Sequence, residues 1–247
     1  MTRAILVAAV AVLVAGGARA ADDAAVKAVE AGIKAHGGAE ALKKYPGGEY
    51  KVEGDVSIGG EKGKFTSAIS YALPEKFRMS VDTTLGPNKA ALVVVVNGDK
   101  VKATRDGKPQ ELKEAAKGEF LQLAAVQEVS LLYPLLDEKK FTLKAEKDEK
   151  VDGKDASVVL VTRKGMKDVR LFFDKETGRL VKFAHKMPDP FGAEVLTEVT
   201  QGEFKEFGGV LQPTVQKVKQ AGKDYMTLKV TEVKMVEKPD PKAYSVD

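Results

Sequence analysis

DVRLFFDKETGRLVKFAHKM, residues 168–187, sets two apolar-rich runs on either side of a short polar turn. Val169, Leu171 and Phe173 fall on one phase of a two-residue period, and Leu180 and Phe183 begin a return run. Between them, Asp174 to Gly178 carry turn chemistry: short Asp and Thr side chains hydrogen-bond their own backbone, and glycine accepts a positive φ. The segment therefore reads as an antiparallel hairpin with one dry face.

The same period extends in both directions. Towards the N-terminus, Tyr50, Val52, Val56 and Ile58 share one phase, as do Phe65, Ile69, Tyr71 and Leu73, and then Phe77, Met79, Val81 and Leu85. Alternation of this kind belongs to antiparallel sheets with one face buried and one wet. Asn97-Gly98 and Asp106-Gly107 mark two further turns. Towards the C-terminus the pattern resumes at Phe141 and runs through DASVVLVTR, AEVLTEVTQGEF, VLQPTVQKVKQ and DYMTLKVTEVKMV. In the last of these Leu228 and Val230 hold one phase while Val233 and Met235 hold the other. One extra residue near Thr231 accounts for the slip, and such a bulge curves a sheet.

Two segments break the period. Residues 22–45 carry Val26, Val29 and Ile33 at helical spacing behind Asp22 and Asp23, with HGG (36–38) separating a short second piece that ends before Pro46. His36 is expected to serve at the C-terminal cap. From Glu111 to about Asp137, Leu112, Phe120, Leu123, Leu131, Leu132 and Leu135 form a wide apolar stripe that predicts one long helix or two, stopped or kinked at Pro134 and covered on most sides. The order is helices, four to five strands, a helix, then six to seven strands. About eleven strands exceed what a flat open sheet carries without curling. The expected fold is α+β: a strongly curved antiparallel sheet, an incomplete β-barrel, wrapped around helices.

Residues 1–20 stand apart. Arg3 precedes an apolar run from Ile5 to Ala15, and Ala18-Arg19-Ala20 has the small-x-small form of a cleavage site. The run is shorter than the ~20 apolar residues a membrane span needs. This predicts a signal peptide cut after Ala20, a single domain over 21–247, and a soluble protein exported to a bacterial periplasm. With no cysteine, neither a disulfide nor a lipid-modified thiol is available. Loss of Arg3 and Arg19 lowers the net charge from +4 to +2, and lysines interleave with acids, as in KAEKDEKVDGKD, rather than lining a phosphate-tracking groove. Nucleic acid is not an expected partner.

Nothing in the chain assembles a catalytic site. Its two histidines, His36 and His185, have no companion at metal-ligand spacing, and His185 reads as an exposed strand residue. HGG has no G-x-S-x-G elbow to accompany it. Asp174 and Thr177 read as turn residues, and the acidic residues of MPDPFG (187–192) and KPDPK (238–242) lie in loops that stop strands. No enzyme activity, cofactor or metal is expected.

HGGAEAL (36–42), LPEKFRM (73–79), VNGDKVKA (96–103), VRLFFDKETGRLVK (169–182), FGGVLQPTVQK (207–217) and the terminal KPDPKAYSVD run through the chain in an order that resembles the LolA-like periplasmic lipoprotein carriers. The resemblance implies a half-barrel whose concave face, with helices over its mouth, holds acyl chains. It also implies a lipid or acylated protein as ligand, with an outer-membrane acceptor or an inner-membrane donor as partner. Position 73 is Leu where the classical carrier has an arginine that helps control acyl binding and release. In that architecture Phe65, Ile69, Tyr71, Phe77, Met79, Val81, Leu123, Leu131, Leu171 and Phe173 are the candidate lipid-binding wall of a monomer. Periodicity alone does not separate cavity wall from filled core. An envelope-stress regulator or interaction module of the same fold, and a structural β-domain with no ligand, are the alternatives.

Overall fold

The computed structural model describes residues 22–189 and 191–246; the expected signal peptide and its cleavage site lie outside the described residues. Helices α1 (Asp23–Ala35) and α2 (Gly38–Lys44) precede a meander of β1 (Gly47–Ile58), β2 (Glu61–Ala72), β3 (Lys76–Leu85), β4 (Asn88–Asn97), β5 (Lys100–Arg105) and β6 (Lys108–Gln110). Helix α3 (Glu114–Ser130) and a 3₁₀ turn (Tyr133–Leu136) then lead into a second meander. It comprises β7 (Thr142–Val151), β8 (Lys154–Thr162), β9 (Val169–Asp174), β10 (Leu180–Pro188), β11 (Glu194–Phe207), β12 (Val210–Gln220) and β13 (Lys223–Val236). All thirteen strands described join one antiparallel sheet, in which each meander is sequential and β1 pairs with β13 to join them. The strand number exceeds the expected eleven because the arms after Asp106-Gly107 and Asn97-Gly98 are short, β6 having only three residues. Among the described residues no helix is long and apolar enough to cross a membrane.

The hairpin at 168–187 forms as its pattern requires. Phe183 pairs with Leu171 and His185 with Val169, and Asp174 Oδ1 accepts from the Thr177 amide at 2.7 Å and its hydroxyl at 2.8 Å. The phase slip in β13 is a bulge: Lys51 faces Glu232 and Val52 faces Val230, leaving Thr231 without a partner in register. Its hydroxyl donates to the Lys51 carbonyl at 3.2 Å. The bulge sits at the junction of the two meanders, where it adds local twist and bend to the sheet.

Two of the apolar clusters pack helices against the interior of the curled sheet. One packs Val29 and Ile33 of α1 against Leu171, Phe173, Leu180 and Val161. Gly32 permits this approach, since a Cβ there would lie 2.5 Å from the Phe173 ring. Asp22 caps α1 through the Ala24 amide at 3.0 Å and also accepts from the Ala145 amide on β7, so the cap anchors the helix to the edge strand. The second core sets Leu131 and Ala124 against Tyr71, Phe77, Val94 and Val96. The chain passes between the cores at Leu131–Leu132. There the Tyr133 amide donates to the Leu131 carbonyl at 2.7 Å and Leu132 takes a φ of 63°. That is a classic γ-turn, a strained form that lets Leu131 enter one core and Leu132 the other. The expected long helix therefore ends at Ser130, ahead of Pro134. Its first turns, Glu114 to Gly118, face solvent more than the expected enclosure, and Leu123 is only half-buried.

A buried ion network ties α3 to both halves of the sheet. Glu128 accepts from Lys140, before β7, at 2.6 Å and from Arg163, after β8, at 2.8 Å; both cations also reach Glu75 in the β2–β3 turn. Removing one partner of a fully buried pair costs about 3–5 kcal/mol, and the partial exposure of the two cations here discounts that. Glu128→Gln is expected to lower stability by about 2 kcal/mol in urea titrations. The exposed pair Lys51–Glu232 should contribute less than about 1 kcal/mol. A Glu128→Gln midpoint equal to wild type would mean the network does not brace the sheet.

Candidate functional site

Between α3 and the inner face of the sheet lies a chamber of about 440 Å³. Its wall draws on both meanders: Phe65, Ile69, Phe77, Met79 and Val81 from β2 and β3, and Phe183, Val199, Val218 and Met226 from β10 to β13. Leu123, Val126, Gln127 and Ser130 of α3 cover it. A narrower compartment of about 130 Å³ continues towards His36, Leu131 and Leu132, sharing Val52, Ile69, Gln127 and Leu228 with the chamber. Among the described lining residues of the chamber, none carries a charge.

The register explains why these side chains converge. Directly opposed residues on an antiparallel ladder point to the same face, so Phe183, Val199, Val218 and Met226 form one apolar rung across four strands. Two residues towards the hairpin tips, His185, Thr197 and Gln220 form a polar rung. Gln201 and Gln216 form a second polar rung on the opposite side of the apolar one.

Of the ten sequence-predicted wall residues, Phe65, Ile69, Phe77, Met79, Val81 and Leu123 meet at the chamber, and Leu131 lines the narrower compartment. Tyr71 is buried at the side, its ring stacked on Tyr50 at 6.1 Å. Leu171 and Phe173 belong to the core beneath α1 rather than to the chamber wall. The β10–β13 wall was missed by sequence reasoning, although the alternation of Thr197, Val199 and Gln201 carries its signal.

His36 meets its expectation as a C-cap, and His185 does not meet its own. His36 does end α1, and its backbone amide donates to Gly32, but its side chain also crosses to the sheet. Nδ1 donates to the Leu211 carbonyl at 2.8 Å and Nε2 accepts from the Leu180 amide at 3.1 Å. His185 is not exposed: it is 5% accessible, lies parallel to the Phe183 ring, and lines the chamber. An inward phase on β10, set by Phe183 two residues earlier, outweighs the polarity of the imidazole.

Burial lowers the His185 pKa from 6.5 to about 4, and burial likewise lowers that of His36. The unfolded chain takes up a proton that the folded chain refuses, so stability is complete above pH 6.5 and is lost as pH falls towards 4. The loss from His185 is on the order of 2–3 kcal/mol. His185→Leu is expected to flatten the decline of the urea midpoint between pH 6.5 and 4.5, leaving the share due to His36. Parallel declines in wild type and variant would show that His185 does not titrate in this way.

No family model matches the sequence, and no curated protein does either. Similarity is to solved structures. A LolA superfamily protein from Nitrosomonas europaea superposes with a TM-score of 0.58 at 12% identity, covering 90% of this chain and 97% of that one. A DUF1329 family protein from Desulfovibrio piger gives 0.56 at 10% identity, covering 91% and 98%. A putative outer membrane lipoprotein-sorting protein domain from Vibrio parahaemolyticus gives 0.54 at 13% identity, covering 89% and 97%. The chain has the fold of these proteins: an open, curled antiparallel sheet with helices on its inner face. That fold is LolA-like.

Proposed function

We propose that this protein is an exported, non-enzymatic carrier that holds the acyl chains of a lipid or lipoprotein in the half-barrel chamber. The observation that carries the proposal is the chamber itself: concave, roofed by α3, mostly apolar and without a lining charge. Its volume lies within the ~300–1,000 Å³ range of small-molecule sites. Phe, Met and Ile offer shape and contact but no directional bonds, so the wall suits chains of varied length. The Vibrio parahaemolyticus protein of the same fold, described as a putative outer membrane lipoprotein-sorting domain, points the same way. In this reading residues 1–20 direct export to the periplasm, residues 21–247 act as one domain, and the partners are a membrane donor and acceptor. Intact-mass analysis of the exported protein should find Ala21 at the N-terminus; retention of Met1 would remove both the signal peptide and the compartment. For the carrier itself, fluorescent acyl-chain probes with charged and uncharged heads are the test. At least one should bind the delipidated protein at micromolar concentration, and binding of none would remove the proposal.

A further inference from the structure

The register places His185, Thr197 and Gln220 side by side across β10, β11 and β12, close to the tips of the β10–β11 and β12–β13 hairpins. We infer, resting on the carrier reading, that this row holds an uncharged head group bearing a hydroxyl or amide hydrogen, so that the ligand is a neutral hydroxylated or amidated lipid rather than a fatty-acid anion.

The first argument is hydrogen-bond supply. Buried polar atoms in folded proteins are nearly always paired. Among the described residues, Ser67 Oγ and Gln220 Oε1 are buried without a partner and belong to residues lining the chamber, and the His185 ring beside them meets the Lys186 backbone with Nδ1 outside hydrogen-bonding geometry. Ser67 and His185 are both more than nine-tenths buried. Gln220 donates its amide nitrogen to Thr197 Oγ1 at 3.5 Å, and its oxygen, an acceptor only, is buried without a partner. A ligand completes that oxygen only by donating. A hydroxyl or amide N–H donates; a carboxylate accepts only, and an ester has no hydrogen to give.

The second argument is charge. With no charged residue in the lining, a carboxylate or phosphate seated on the row would be desolvated without a counter-ion. Lys167 is the cation whose field reaches His185, and it is already ion-paired with Glu194. The buried imidazole is neutral at pH 7 and supplies no positive charge. Below the row, Phe183, Val199, Val218 and Met226 then receive the chain.

Three ligands with one acyl chain separate the arguments: 1-monooleoylglycerol, methyl oleate and oleate, each titrated at pH 7.5 against an uncharged fluorescent probe. Monooleoylglycerol is expected to bind at least tenfold more tightly than either of the others. Gln220→Leu and His185→Leu should each bring monooleoylglycerol close to methyl oleate, with methyl oleate still bound, which shows that the chamber has survived the substitution. Oleate binding as tightly as monooleoylglycerol overturns the inference, as does a preference that survives both substitutions; in either case methyl oleate binding leaves the carrier reading in place. If none of the three binds, the inference and the carrier reading fail together.

Discussion

Leu132→Ala is expected to destabilise the protein by about 4 kcal/mol, the largest loss from any single truncation near α3. Leu132 is 1% exposed and packs into the core that joins α1 to β7–β10. It does so from a γ-turn that alanine would retain, so the backbone strain stays and the packing is lost. Leu→Ala at such a site forfeits the transfer energy of the removed carbons and leaves a cavity that a sheet wrapped on itself cannot easily close. For a chain of this size the loss corresponds to a fall in Tm of roughly 8–16 °C. Leu123→Ala, about two turns before the end of α3 and half-buried against the chamber, only widens an existing space; it should cost less than about 2 kcal/mol. Urea titrations of the two variants measure the contrast directly. Equal losses would mean that α3 and the following turn are packed alike, and that the space under Leu123 is filled core.

The contrast between Leu123 and Leu132 also shows what the sequence could and could not disclose. Both sit on the same apolar stripe, and helical spacing treats them as equals. Their environments part only because the chain leaves the helix between them, and nothing local announces a γ-turn at a leucine. The strands were legible because period-two alternation is imposed by one wet and one dry face, as in β1 to β3. Even the bulge at Thr231 could be read, since one extra residue inverts every later side chain. The β10–β12 wall was harder. Its inward phase includes His185, Thr197, Gln201, Gln216 and Gln220, polar residues that composition assigns to the surface. Pairing across strands decides which way they point, and pairing is non-local. Leu171 and Phe173 show the complementary limit: their phase placed them inside correctly, but only the position of α1 assigns them to packed core.

Met79→Asp is expected to abolish acyl-chain binding while leaving the protein folded. Met79 stands on β3 between Ile69 and Val94 and faces the chamber, where it is half-buried rather than locked in a core. An aspartate can therefore stay hydrated in the free protein, so the substitution should change circular dichroism little. Binding is another matter. A chain lying against this wall gains about 0.8 kcal/mol for each methylene it buries, and it must cover position 79 to reach both Phe77 and Val81. Covering an aspartate strips water from a carboxylate that has no cation among the described lining residues. Two or three methylenes displaced, together with that desolvation, amount to about 4 kcal/mol or more, which is roughly a thousandfold in affinity. Met79→Leu keeps the volume and the apolar surface, and it should bind within a few-fold of wild type. An uncharged acyl probe is the right reporter, because an anionic one would add repulsion from the new carboxylate. If Met79→Asp binds that probe as tightly as wild type, the acyl chain does not lie against β3, and the chamber under α3 is not where this protein holds its ligand.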